Sequence, residues 1–187
     1  SRITSAKISF RYTPEGFIPN MAGLSLVEKS NTNDIIEFVA FSNTKVCEGL
    51  LRVLNPTLNF TPGTIANLHI NKPNFINLRE LTQLCIDISK SDWDAHEISW
   101  NFKESELLRI KTETDATIED TYEYYKHYWT KMFYRIHENE EVINNEFIEL
   151  YGLKDDLSSA VPLEDISILQ DELDRVTIST MNEDGRN

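Results

Sequence analysis

Residues 117–151, TIEDTYEYYKHYWTKMFYRIHENEEVINNEFIELY, decide the fold class. Ile118, Tyr122, Tyr125, Trp129, Met132, Phe133, Ile136, Ile143, Phe147 and Leu150 recur at three-to-four spacing, the period of one helix face. Gly152 follows where a helix C-cap is wanted. The spacing predicts one long amphipathic helix over about 117–151, roughly 45 Å of rise for some thirty residues at 1.5 Å each. Such a length exceeds the needs of a small compact domain and suits a spacer between domains. Tyr122, Tyr124, Tyr125, Tyr128, Trp129, Phe133 and Tyr134 form an aromatic band wider than one core-facing stripe. Helix packing is the plain account of that band, and an interdomain contact is the sharper one.

Upstream, the pattern predicts two shorter helices, from Asp34 through Ala40 and from Thr44 to Leu54, the second halted by Asn55-Pro56. A further amphipathic helix is expected over 74–89, with Phe75, Leu78, Leu81, Leu84, Cys85 and Ile88 on one face. Nearer the N-terminus the period changes from helical to alternating. Lys7-Ile8-Ser9-Phe10-Arg11-Tyr12 alternates as a half-buried strand, Thr13-Pro14-Glu15-Gly16 reads as a turn, and Phe17-Ile18 and Leu24-Ser25-Leu26-Val27 continue a hairpin-rich pattern. The expected fold class is therefore α+β, a small N-terminal sheet followed by a predominantly helical part. Between Asp92 and Phe102, two tryptophans and a phenylalanine imply a structured loop anchored in a groove.

The composition is that of a soluble globular chain: 187 residues, 40% hydrophobic and 26% charged. No apolar run is long enough to span a bilayer, and no membrane partner is expected. Cys47 and Cys85 form neither a CxxC nor a Cys/His cluster, so reduced thiols in a cytoplasmic protein are the expectation. The chain opens Ser1-Arg2-Ile3 rather than with Met, as a piece of a longer polypeptide would. Net charge is −13, a poor overall match to nucleic acid, but it is unevenly spread. Residues 1–72 carry seven cations against five anions, a net of +2, while residues 73–187 carry 11 against 26, a net of −15. An anionic ligand therefore prefers the first part.

No GxGxxG, P-loop, GxSxG, HExxH or paired CxxC is present. Asp94, His96 and Glu97 suggest an acid/base cluster, a reading that requires the three side chains to converge in a pocket. Glu138, Glu140, Glu141, Glu146 and Glu149 read as a solvated helix face rather than a metal site.

Several collinear segments resemble the C-terminal part of the PglX-type adenine methyltransferases of BREX phage-defence systems, relatives of fused type IIG restriction-modification enzymes. They are Lys7 to Tyr12 with Pro14-Glu15-Gly16-Phe17, Phe41-Ser42-Asn43-Thr44-Lys45, and Leu54-Asn55-Pro56-Thr57-Leu58-Asn59-Phe60. Asp92-Trp93-Asp94, Glu97-Ile98-Ser99-Trp100-Asn101-Phe102, Asn139-Glu140-Glu141, Asn144 and Phe147-Ile148-Glu149-Leu150-Tyr151-Gly152-Leu153 complete the series. The resemblance covers roughly residues 7 to 157. It implies a parent enzyme that methylates adenine N6 from S-adenosylmethionine through an Asn/Asp-Pro-Pro-aromatic tetrapeptide, followed by a region that reads the DNA target. This chain has no such tetrapeptide, since Asn55-Pro56-Thr57-Leu58 lacks both the second proline and the aromatic. The expectation is a target-recognition and spacer segment without the catalytic domain or its S-adenosylmethionine.

On that reading residues 1–72 end a DNA target-recognition module, with Lys7, Arg11, Asn43, Lys45, Asn59 and Thr61 as candidate contacts to double-stranded DNA. Lys and Arg would hold phosphates, and Asn would read adenine in the major groove. Residues 73–187 form an acidic helical spacer that docks the methyltransferase domain or other defence-system subunits. The alternative is a protein-interaction module that dimerises through Tyr125 and Trp129 of the long helix and never touches DNA.

Overall fold

Apolar periodicity, helix caps and one glycine account for most of the architecture in the computed structural model, which describes residues 8–18, 25–28, 34–55, 61–71, 76–114 and 117–168. Six α-helices are formed among them: α1 (Asp34–Ser42), α2 (Lys45–Leu54), α3 (Pro62–Ala66), α4 (Ile76–Asp94), α5 (Glu106–Thr114) and α6 (Ile118–Leu150). One 3-10 turn, Leu163–Asp165, follows. Two compact units group these elements out of chain order. Unit 1 comprises residues 1–83 and 140–160, and unit 2 comprises residues 84–139 and 161–187.

In unit 1 the break between α1 and α2 is made by Thr44. Its Oγ1 accepts from the Cys47 N–H at 3.2 Å and donates to the Phe41 carbonyl at 2.6 Å, so one buried hydroxyl ends α1 and caps α2. α2 turns Val46, Cys47 and Leu51 inward and Arg52 and Val53 outward. Thr61 caps the single turn of α3, with Pro62 at a position where its missing N–H costs nothing. The core joins Ala40, Phe41, Val46, Cys47, Leu51, Ile65 and Leu78 to Ile143, Phe147 and Ile148 of α6. Phe41 and Phe147 pack at 5.3 Å between ring centroids.

α6 ends as its sequence predicts. Gly152 takes φ +68°, the Gly152 N–H donates to the Glu149 carbonyl at 3.0 Å, and the Leu153 N–H donates to Ile148 at 2.9 Å. These are the two bonds of a Schellman cap, and Leu153 packs back on the core beside Ile148. Tyr151, the residue at the cap, donates its hydroxyl to the His69 carbonyl at 2.6 Å and accepts from the Asn71 N–H at 3.1 Å. It thereby ties residues 69–71 to the end of α6.

In unit 2, Trp129, Phe133, Tyr134 and Ile136 of α6 pack with Ile88 of α4 and with Val161, Ile166 and Ile168. The Trp129 indole donates to Glu106 at 3.1 Å, which satisfies the one polar atom of a side chain only 2% exposed. The buried His137 ring bonds the Val161 carbonyl through Nε2 at 2.8 Å. The aromatic band is thus mainly core, with Tyr122 and Tyr124 left outside it.

The expected small N-terminal sheet, and with it the α+β class, is corrected here: no strand is formed among the described residues. The alternation expresses itself as burial over residues 8–11, with Ile8 and Phe10 on the core of unit 1 and Ser9 and Arg11 exposed, and it ends there because Tyr12 is exposed as well. What replaces a neighbouring strand is a side chain. The Phe10 N–H donates to Asn43 Oδ1 at 2.9 Å, and Asn43 Nδ2 donates to the Phe10 carbonyl at 3.0 Å, so an amide at the end of α1 supplies both ladder bonds. Gly16 takes φ +97° in the expected turn. Part of the supposed hairpin, residues 19–24, lies outside the described residues. The Asp92–Phe102 expectation also needs revision, because Trp93 and Trp100 are exposed rather than sunk in a groove.

Candidate nucleic-acid interface

Of the six candidate contacts, Arg11, Asn43, Lys45 and Thr61 are described and all belong to unit 1, whereas Lys7 and Asn59 lie outside the described residues. The Phe10–Asn43 bonds join positions 33 residues apart. They bring Arg11, next to Phe10, into the neighbourhood of Lys45, two residues beyond Asn43. Arg11 is exposed.

The polar candidates have structural work. Asn43 makes a third bond, from Nδ2 to the Val39 carbonyl at 3.1 Å. Its carboxamide therefore serves the protein at both ends, and a bidentate pair with adenine would replace the bonds to Phe10. Thr61 Oγ1 accepts from the Thr64 N–H at 3.3 Å and is hydrogen-bonded to Thr64 Oγ1 at 3.1 Å. Lys45 is half-buried, and its ammonium donates to the Ala160 carbonyl. Its backbone N–H donates to Asn144 Oδ1 at 2.9 Å, while Asn144 Nδ2 donates to the Glu140 carbonyl at 3.0 Å. Asn144 is buried on the inward face of α6; it stands among the segments that carry the resemblance, but neither that nor its helical spacing distinguishes a clasp from a packed polar residue.

The other described cations of unit 1 are matched by carboxylates. Arg52 pairs with Glu48 at 2.7 Å, Lys154 pairs with Glu149 at 2.6 Å, and the Arg79 guanidinium grips the buried Glu37. Lys154, with Asn145 adding to it, holds the Glu149 carboxyl below the ordinary glutamate value. Sequence reasoning missed Arg79 because it stands on the acidic side of the charge asymmetry, yet it serves the first core.

The imagined acid/base cluster is not assembled. Asp94 accepts from Lys90, from Ser99 Oγ at 2.7 Å and from Asn101 Nδ2 at 3.3 Å. His96 instead faces Asp92 at 3.9 Å, and Glu97 is exposed. Among the described residues no group of three or more His, Cys, Asp or Glu side chains is placed to hold a metal ion. No described helix is long and apolar enough to cross a membrane.

Among the described residues, fold and site together define a helical protein in which the non-helical stretch around Phe10 is clasped to a helix end by an asparagine. No protein-family model matches the chain. It is 33% identical over 177 residues to the adenine-specific methyltransferase PglX of Lacticaseibacillus casei (strain Zhang), a match covering 94% of this chain and 15% of that protein. It is 29% identical over 153 residues to the adenine-specific methyltransferase BrxX of Escherichia coli O9:H4 (strain HS), covering 81% of this chain and 12% of that protein. The chain is thus related over most of its length to PglX-type adenine-specific methyltransferases, the relationship its motifs resemble, and it spans about a seventh of their length.

Proposed function

We propose that this chain is a DNA target-recognition and helical-spacer segment of an adenine-specific DNA methyltransferase in a phage-defence system, working beside a catalytic domain that binds S-adenosylmethionine. The observation that carries the reading is the match along 94% of this chain to a protein named for adenine methylation, in a sequence that lacks the catalytic tetrapeptide. An enzyme that extrudes one base from a duplex needs a separate surface to set register on the phosphates. Arg11 and Lys7 are the phosphate contacts in this reading, together with Lys45. Asn43 acts first by fixing the segment that carries Arg11, and Asn59 and Thr61 are the remaining contacts.

Fluorescence anisotropy with a mixed-sequence duplex at low and moderate salt tests the assignment. Binding that weakens as salt rises, and weakens further in Lys7→Glu and Arg11→Glu, supports it. Absence of binding at low salt, or binding indifferent to both reversals, sinks the DNA-contact role and leaves a spacer.

A further inference from the structure

From the end of α4 and the turn that follows it, we infer a docking knuckle, built from Trp93, Ile98 and Trp100, for a partner protein's amphipathic helix whose apolar face is flanked by Lys and Arg. The three side chains are 52%, 72% and 92% exposed, large apolar surfaces that a chain normally hides. The turn bearing them is well held. Asp94, the last residue of α4, receives Lys90, Ser99 and Asn101, and Ser99 is itself buried between the outward Ile98 and Trp100. The backbone bonds His96 N–H to Trp93, Ser99 N–H to His96 and Phe102 N–H to Ser99 complete a run of tight turns. A backbone turn already held in place loses little freedom on binding, and Trp is the side chain most enriched at the energetic centres of interfaces.

Charge selects the partner. Residues 90–109 hold Lys90, Lys103 and Arg109 against the carboxylates of Asp92, Asp94, Glu97, Glu104 and Glu106, a net of −2. Lys90 and Arg109 are already engaged by Asp94 and Glu106, and the remaining Lys103 is outnumbered by Asp92, Glu97 and Glu104. A second copy of this chain would bring like charge to like, and a nucleic acid would do the same with phosphate. A basic rim meets the carboxylates, and its ammonium and guanidinium groups are attracted to indole faces. The inference holds whether or not residues 1–72 contact DNA.

The test uses the whole chain and two synthetic amphipathic helices with the same Leu face, one carrying Lys and the other Glu on the polar face. The Lys helix should shift the Trp emission to the blue and bind in saturable fashion. Trp100→Ala should weaken that binding about tenfold, the loss expected from a central interface side chain. Ile98→Ser is the second variant, should circular dichroism show Trp100→Ala misfolded, and Tyr124→Ala, exposed on α6, should bind as the parent does. Equal binding of the Glu helix, unchanged affinity in the folded knuckle variants, self-association through the knuckle in sedimentation, or protection of the tryptophans by duplex DNA instead would each overturn the inference.

Discussion

The carboxamide of Asn43 holds Phe10 by both backbone groups, accepting from its N–H at 2.9 Å and donating to its carbonyl at 3.0 Å. Two bonds of the kind a neighbouring strand supplies thus come from a side chain at the end of a helix. They fix a stretch of unit 1 that is strand-like in pattern.

Asn43→Ala should therefore release residues 8–14. The expected destabilisation is about 0.5–1.5 kcal/mol, the net worth of hydrogen bonds whose groups water can reach once the amide is gone. Tryptic cleavage after Arg11 should accelerate well before global unfolding, and an unchanged cleavage rate would refute the clasp.

Gly152→Ala should cost about 1 kcal/mol, because a Cβ at φ +68° is strained wherever it finds space. Gly152→Asn should cost less, since Asn tolerates the left-handed region better. Urea midpoints of the two variants order the effect.

Cys47 is fully buried, and burial, reinforced by the Glu48 charge, pushes its thiol up to about 12 from an ordinary 9.0. A native-state thiol reagent should modify the half-exposed Cys85 first and reach Cys47 only on unfolding. The folded state keeps Cys47 protonated where the unfolded chain ionises, so stability should fall as pH rises above 9.0. Cys47→Ala should remove that part of the alkaline slope, and an identical slope in the variant would contradict the assignment.

The Asp94 carboxyl lies below the ordinary aspartate value of 3.8, first through Lys90 and then through Ser99 and Asn101, whose bonds outweigh its slight burial. A depressed carboxyl stabilises the fold above its unfolded value and loses that contribution as pH falls through the folded one. Acidification below the usual carboxylate range should accordingly loosen residues 95–101, read as faster amide hydrogen exchange at Ser99 and Phe102, whose N–H groups are bonded within the turn. Asp94→Asn should show the looser state already at neutral pH and a flatter acid response.

Much of the helical part was legible because local rules sufficed. The three-to-four rhythm of residues 118–150, the stop before Pro56 and the Gly152 terminus each need only neighbours in sequence, and each has its physical counterpart in α2 or α6. The aromatic band was visible as well, but its division was not. Trp129 is buried because Glu106, remote in sequence, accepts its indole proton, whereas Tyr122 and Tyr124 stay exposed. Candidate contacts were chosen for chemical type alone, and type does not tell whether an amide such as Asn43 or a hydroxyl such as Thr61 is already engaged by the backbone.

By itself, the sequence determined helices, their ends, the uneven charge and the relationship to adenine-specific methyltransferases, since all of these are carried by local order along the chain. Only the tertiary structure decided that residues 8–12 stay outside any sheet, and that residues 140–160 complete the core begun by α1 and α2. Alternation prepares a backbone for pairing without naming the partner. The hydrogen bonds of an extended segment go to whatever group the rest of the chain brings alongside, and here that group is the amide of Asn43.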